Sequence, residues 1–154
     1  MSLRGLAVAL VAALVVVGTA SGQEKKIKRS DLPPAVERAV AAQSQGAAIR
    51  EFSQETENGQ TYYEVEMTVA GRGKDVLMDA NGAVVEVEEQ VAPDALPAAV
   101  SAGLSARAGR GKIVKVESIT KQGKLVAYEA QVVMDGKRSE VQVGPDGKPL
   151  DHEQ

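Results

Sequence analysis

The chain has 154 residues, of which 44% are hydrophobic and 25% are charged, and its formal net charge is −3 at pH 7. It contains no cysteine, so disulfide bonds cannot stabilise it, and its mild acidity argues against nucleic acid as a partner. With one phenylalanine and no tryptophan, its core must consist of Val, Leu, Ile, Met and Tyr.

Residues 1–20 have the features of a signal peptide. Arg4 precedes an apolar run over residues 6–17, and small side chains of the kind that signal peptidase accepts follow it. We expect cleavage after Ala20, with Gly22 as the alternative. The run is shorter than the roughly 18–20 apolar residues that span a bilayer, so an uncleaved anchor is the less favoured interpretation. The sequence predicts a periplasmic or secreted protein with no stable membrane span after cleavage.

The rest of the chain contains an internal duplication. Matching segments recur in the same order: residues 32–36 with 96–100, Tyr63-Glu64-Val65 with Tyr128-Glu129-Ala130, and Asn81-Gly82 with Asp146-Gly147. An ordered series of matches is typical of repeated structural units. We therefore divide the mature chain into a polar basic lead-in at 21–29, a first repeat at 30–90, a linker at 91–95 and a second repeat at 96–154.

Each repeat opens with a helical pattern. In the first, Ser30 is the predicted N-cap, and Leu32, Val36 and Val40 recur every four residues to form one apolar stripe. In the second, the corresponding residues are Asp94 for the cap and Leu96, Val100 and Leu104 for the stripe. Gly103 is expected to weaken the second helix, because glycine costs up to about 1 kcal/mol relative to alanine.

Four strands follow the predicted helix. In the first strand, Ile49 and Phe52 are three residues apart, and a bulge or a late start would explain this spacing. The next strand, residues 63–69, alternates apolar with polar side chains, which is typical of a sheet with one solvated face. The last strand, residues 83–88, is expected to bury Val85 and Val87. The corresponding strand of the second repeat is expected to be shorter, residues 148–150, and to lie at a sheet edge.

These patterns predict an α+β fold of two tandem repeats. Each repeat is expected to form one helix plus a four-stranded antiparallel sheet, with the helices packed on one face of a shared sheet.

This order of elements resembles that of the PepSY-like family. The residues that carry the resemblance are Leu32-Pro33, Ile49, Gly59, Tyr63-Glu64-Val65, Val76, Met78 and Asn81-Gly82, with their copies from Leu96-Pro97 to Asp146-Gly147. The resemblance implies a tandem arrangement similar to that of secreted β-lactamase-inhibitor-like proteins. It also implies export and a role in binding or inhibiting peptidases or other envelope proteins. Unlike the secreted inhibitors, this chain has neither cysteine nor tryptophan.

The sequence offers little for catalysis or metal binding. His152 is the only histidine and lies three residues from a terminus that we expect to fray, so we predict no enzyme, no catalytic residues, no cofactor and no metal site. The segment Asp79-Ala80-Asn81-Gly82 resembles part of a calcium loop but has no distal bidentate Glu, so a weak cation site there is a minor alternative. Glu86, Glu88 and Glu89 are expected to keep a sheet edge soluble.

The outer face of the predicted sheet is the remaining candidate site. If Val76 and Met78 point inward, Leu77 points outward. Its predicted neighbours there are Tyr62, Glu64, Glu66 and Val84. Apolar groups framed by carboxylates are typical of protein-binding patches, although scattered exposed apolar residues are also ordinary surface.

We therefore expect an exported, non-catalytic binding module that inhibits or regulates a periplasmic peptidase or another envelope protein. The expected partner is a protein or peptide in the cell envelope. The alternatives are a periplasmic cation- or small-ligand-binding protein and a structural envelope protein that self-associates as a homo-oligomer.

Overall fold

The computed structural model describes residues 24–154, so the predicted signal peptide lies outside the described part of the chain. These residues form one antiparallel sheet of eight strands, whose order in space is their order in the sequence. The strands are β1 (Lys25–Lys26), β2 (Ala47–Glu57), β3 (Gln60–Val69), β4 (Arg72–Asp79), β5 (Val84–Gln90), β6 (Lys112–Lys121), β7 (Lys124–Met134) and β8 (Lys137–Val143). Helix α1 (Pro34–Gln43) connects β1 to β2, and helix α2 (Ala98–Ala108) connects β5 to β6.

The predicted architecture of two repeats, each with one helix and a four-stranded sheet, is wrong. Strand β5 pairs directly with β6, so both copies contribute to a single continuous sheet. The second copy supplies only three strands, and β1 comes from the segment predicted as a lead-in. Residues 148–150 instead close a turn, in which the Gly144 N–H donates to the Lys148 carbonyl at 2.8 Å. Pro149 has no N–H with which to extend a ladder.

The helices begin later than predicted. Ser30 lies in a separate 3₁₀ turn, Arg29–Asp31, and α1 starts at Pro34 without a side-chain cap. Leu32 is extended because it precedes a proline, and this separates the turn from the helix. The second copy has the same arrangement, with the 3₁₀ turn Pro93–Ala95 before α2. Within residues 24–154, neither helix is long and apolar enough to cross a membrane.

Both helices pack on the same face of the sheet. The predicted stripes are confirmed, because Val36, Val40, Val100 and Leu104 are fully buried. Helix α1 covers a cluster that includes Val65, Met67, Val76 and Met78, and α2 covers a cluster that includes Val116, Ala130, Val132 and Val143. The two clusters form the core on either side of the β5–β6 pair.

The irregular spacing in β2 comes from a bulge, one of the two explanations that the sequence left open. The register with β3 shifts between Ile49 and Glu51, and both Ile49 and Phe52 pack against the helix-side core. A matching shift lies between Ile113 and Lys115 in β6, so the duplication extends to this irregularity.

The repeated Asn-Gly and Asp-Gly turns pack directly against the helices. A Cβ at Gly103 of α2 would overlap the carbonyl oxygen of Gly147, and a Cβ at Gly82 would overlap that of Ala35. Gly147 also has a positive φ of 78°, which favours glycine. Gly103 therefore permits a close contact between backbones, a role that its local sequence does not predict.

We expect Gly103→Ala to destabilise the protein by about 1–3 kcal/mol, because the added methyl group overpacks the contact with Gly147. Helix propensity alone predicts the opposite sign. Urea unfolding measures the difference, with Ser101→Ala at an exposed position of α2 as the control, expected to be neutral or slightly stabilising. A Gly103→Ala variant as stable as the parent protein would contradict the close contact.

Candidate functional site

The face of the sheet that points away from α1 and α2 carries a band of carboxylates. We call it the open face and define it by Glu64, Glu66, Asp75, Leu77, Glu86, Glu88, Glu117 and Glu129. Residues directly opposite each other on antiparallel strands share a face, and neighbours along a strand alternate. The valines next to these residues, such as Val76, Val87 and Val116, therefore point towards the helices.

Four of the five residues predicted to bind a partner, Tyr62, Glu64, Glu66 and Leu77, lie on the same side of the sheet. Leu77 is opposite Glu64 on β3 and opposite Glu86 on β5. It is half-buried and belongs to neither of the helix-side clusters. The structure thus places an apolar side chain between two carboxylates on the open face.

Val84, the fifth predicted residue, does not lie on this face. A bulge between Leu77 and Met78 places Met78 opposite Val84 and leaves Val85 without a partner on β4. Val84 packs against the helix-side core. The predicted outward direction of Val84 is wrong, because one extra residue in a strand reverses the alternation beyond it.

The acidic run of β5 does not protect a sheet edge, so that prediction is also wrong. Strand β5 lies between β4 and β6. Glu86 and Glu88 are only 4% and 7% exposed. Glu89 alternates to the helix side, where it is exposed and its Oε1 lies 3.2 Å from Lys74 Nζ.

Three carboxylates that are not among the predicted site residues meet at the centre of the open face. Asp75 of β4 is opposite Glu88 of β5, and Glu117 of β6 is opposite Gln90, two residues beyond Glu88. One carboxylate oxygen of each acidic residue lies within 4.8 Å of the other two. We call Asp75, Glu88 and Glu117 the carboxylate cluster. The sequence does contain a signal for this cluster. Each of the three acidic residues is next to a valine that faces the helices, so its carboxylate points to the opposite face.

The carboxylate cluster has few positive neighbours. Lys115 Nζ lies 2.6 Å from Glu117 Oε1, and Arg50 Nη2 lies 3.9 Å from Asp75 Oδ1. No lysine or arginine within residues 24–154 forms an ion pair with Glu88. Neighbouring cations therefore neutralise only part of the negative charge of the carboxylate cluster.

Burial raises the pKa of several carboxyl groups on this face. The pKa of Glu64 rises to about 8, that of Asp75 to about 6 and that of Glu129 to about 7. The pKa of Glu88 also lies well above its ordinary value. Desolvation is the largest cause in each case, and neighbouring carboxylates add to it. These carboxyl groups therefore hold their protons more tightly than in the unfolded chain, and the negative charge of the face grows as the pH rises through these values.

Asp79 and His152, the other residues considered for cation binding or catalysis, do not belong to the carboxylate cluster. Asp79 Oδ1 accepts hydrogen bonds from the backbone N–H groups of Asn81 at 2.8 Å and Ala83 at 2.9 Å, which closes the turn after β4. His152 is exposed and forms no ion pair with another described residue.

No protein-family model matches the chain, and no curated protein matches it. Solved structures do share its fold. A protein from Bacteroides eggerthii that is described as periplasmic is 19% identical, with 77% of this chain and 86% of that chain covered and a TM-score of 0.64. A BLIP-like protein from Bacteroides fragilis is 24% identical, with 80% and 86% covered and a TM-score of 0.57. A DUF2874 family protein from Bacteroides ovatus is 17% identical, with 78% and 85% covered and a TM-score of 0.61.

These structural similarities agree with the predicted resemblance to β-lactamase-inhibitor-like proteins in overall arrangement. The narrower resemblance to the PepSY-like family stays a prediction. The description of the Bacteroides eggerthii neighbour as periplasmic agrees with the predicted periplasmic or secreted location.

We expect the stability of the protein to fall as the pH rises through the titration of Glu129. Its pKa is about 7 when folded against an ordinary value of 4.5, so the folded state binds this proton more tightly than the unfolded chain does. The resulting stabilisation is complete below pH 4.5 and is lost between pH 4.5 and about 7. Glu129→Gln should remove that loss and stabilise the protein at pH 8 by roughly 1–2 kcal/mol, with little gain at pH 4.

Thermal unfolding from pH 4 to pH 8 measures this effect. The fold should tolerate the change, because Gln142 Nε2 donates to Glu129 Oε2 at 2.7 Å and a glutamine keeps an acceptor oxygen there. Glu89→Gln, an exposed position on the opposite face, is the matched control. Equal pH profiles for Glu129→Gln and the parent protein would contradict the assignment.

Proposed function

We propose that the protein is a non-catalytic binding module that holds a basic segment of an envelope protein against its open face. It is a periplasmic or secreted protein, and it acts by occupying its partner's surface rather than by chemistry of its own. Inhibition or regulation of a periplasmic peptidase is the form of this function that the PepSY-like resemblance favours.

The observation that carries the proposal is the position of Leu77. It is half-buried between Glu64 and Glu86 on the face that neither helix covers. An apolar centre with a polar rim is the usual composition of a protein-binding patch. Once Glu64 is ionised, it suits a partner that presents lysine or arginine next to an apolar side chain. Glu86 on the other side already lies 3.4 Å from Lys121 Nζ.

The charge of the open face supports a basic partner. It has seven carboxyl groups, of which Glu64 and Glu88 stay largely protonated at pH 7 because burial raises their pKa values. The basic side chains that pair with the others are Arg50, Lys115 and Lys121. The negative charge available to a partner is therefore small at pH 7 and grows as the pH rises. Complementary charge mainly raises the rate of association and the specificity of an interface.

The β8 edge of the sheet is a poor site for an added strand. The first four residues of β8 are exposed and mostly charged. Charged edge strands discourage pairing with another chain. This argues against self-association through the β8 edge. At the other edge, β1 pairs only with Ser53 and Gln54 of β2.

The test uses the exported protein as bait for a cell-envelope extract, followed by titration of the purified partner. We expect Leu77→Glu to weaken binding at least tenfold, because it removes the apolar centre and adds a like charge between two carboxylates. We also expect affinity to fall as salt is raised, since screening weakens exposed charge interactions.

Met134→Glu is the matched control. Met134 is 46% exposed and alternates to the same side as the buried Val132, so the change adds the same charge away from the open face. It should leave binding unchanged. Equal weakening by both variants, an effect of neither, or a partner with an acidic binding segment would each overturn the proposal.

A further inference from the structure

The carboxylate cluster stands out because its oxygens are buried without partners. Asp75 Oδ1, Glu88 Oε1 and Glu117 Oε1 are all buried, and none has a hydrogen-bond partner within residues 24–154. Glu88 and Glu117 are 7% and 2% exposed as whole residues. An ionised carboxylate in such a place is strongly destabilising unless a charge or a donor satisfies it. The cluster thus brings buried, unpartnered acceptor oxygens of three residues close together.

The protein's own cations satisfy only part of the cluster. Lys115 Nζ lies 2.6 Å from Glu117 Oε1 and forms a close ion pair with it, although not a hydrogen bond, whereas no described cation pairs with Glu88. Arg50 lies closer to Glu66, at 3.2 Å, than to Asp75, at 3.9 Å. Three carboxylates therefore share one close ammonium group, and the cluster keeps an excess of negative charge.

The spacing of the three carboxylates suits a single metal ion. One carboxylate oxygen of each residue lies within 4.8 Å of one oxygen of each of the other two. Calcium binds oxygen ligands at about 2.3–2.6 Å, so two ligands on opposite sides of the ion are separated by about 5 Å. Each ligand comes from a different strand of a continuous sheet, and this holds the three side chains together without a dedicated loop.

We propose that Asp75, Glu88 and Glu117 form a binding site for one divalent cation, with calcium as the ion that the ligands favour. All three ligands are carboxylate oxygens, which hard cations prefer, whereas zinc and copper favour sites with histidine or cysteine. Calcium tolerates irregular geometry and completes its coordination with water. Magnesium requires shorter distances and nearly ideal octahedral geometry.

The raised pKa values of Asp75 and Glu88 agree with this assignment. They arise mainly from desolvation, and a bound cation would offset the repulsion among the three carboxylates. Calcium binding needs no partner protein, so the site can be tested without the partner proposed for Leu77. It also differs from the turn at Asp79, the minor alternative for a weak cation site in the sequence.

The test titrates calcium chloride into metal-free protein at pH 8, using the exported protein purified after expression of the full chain. Calorimetry should show one calcium ion per chain, with a dissociation constant of about 10⁻⁴–10⁻³ M, the range of extracellular calcium modules. Calcium at 100 times this constant should raise the melting temperature by about 5–10 °C, because it binds only the folded state. Magnesium should bind more weakly.

Glu88→Gln is the informative variant. It removes one charged ligand but nearly preserves the side chain's shape, and it relieves repulsion within the cluster, so the fold should persist. We expect it to weaken calcium binding at least tenfold. Glu89→Gln removes the same charge one residue further along, on the opposite face, and should change the dissociation constant by less than twofold.

Several results would overturn the site. These are a lack of saturable binding with no shift in melting temperature, equal weakening by Glu88→Gln and Glu89→Gln, and tighter binding of zinc than of calcium. Equal weakening would mean that calcium associates with the diffuse negative charge of the protein. Because no partner protein is present, these outcomes can be told apart from a failure of the Leu77 surface.

Discussion

The antiparallel pairing of β5 with β6 joins the two copies into one sheet, and the other features of the molecule depend on it. The pairing runs from Glu86 opposite Lys121 to Gln90 opposite Glu117. It places β5 inside the sheet and brings acidic residues of the first copy next to those of the second. Both helices cover the same face, so the same pairing leaves the opposite face without a helix. The carboxylate cluster therefore exists only in the joined sheet.

The two faces of the sheet contribute to stability in opposite ways. On the helix side, fully buried valines, leucines and methionines pack closely, and Gly103 lets the backbone of a turn touch α2. On the open face, buried carboxylates lose hydration, and their folded forms are more easily protonated than the unfolded chain. A fold that retains such a face has its stability supplied by the helix side. Unfavourable charge in a defined location is typical of functional sites.

The two proposed activities use different parts of the same negative surface. Leu77 lies opposite Glu64 on β3 and opposite Glu86 on β5. The pair Asp75 and Glu88 lies two residues away along β4 and β5, and Glu117 of β6 lies opposite Gln90, two residues beyond Glu88. A basic protein segment and a calcium ion are both attracted by this charge. Because Glu86 and Glu88 are two residues apart on one strand, occupation of one region changes the electrostatic potential at the other.

Patterns within a few residues are enough to give the local features of this protein. The apolar stripes of both helices, the alternation in β3 and the outward position of Leu77 all follow from such patterns, whereas the spacing of Ile49 and Phe52 allowed either a bulge or a late strand start. The order of matching segments likewise revealed the duplication. Tertiary structure decided the rest. Strand number, the direction of Val84 and the burial of Glu88 depend on pairing between distant strands.

The physical reason is that a strand's alternation shows which residues share a face, but not which strand lies beside it. Glu86, Glu88 and Glu89 have the same local pattern whether β5 lies at an edge or inside the sheet, yet their hydration differs completely between those positions. Asp75, Glu88 and Glu117 lie far apart in the sequence, and only the register of β4, β5 and β6 brings their oxygens together.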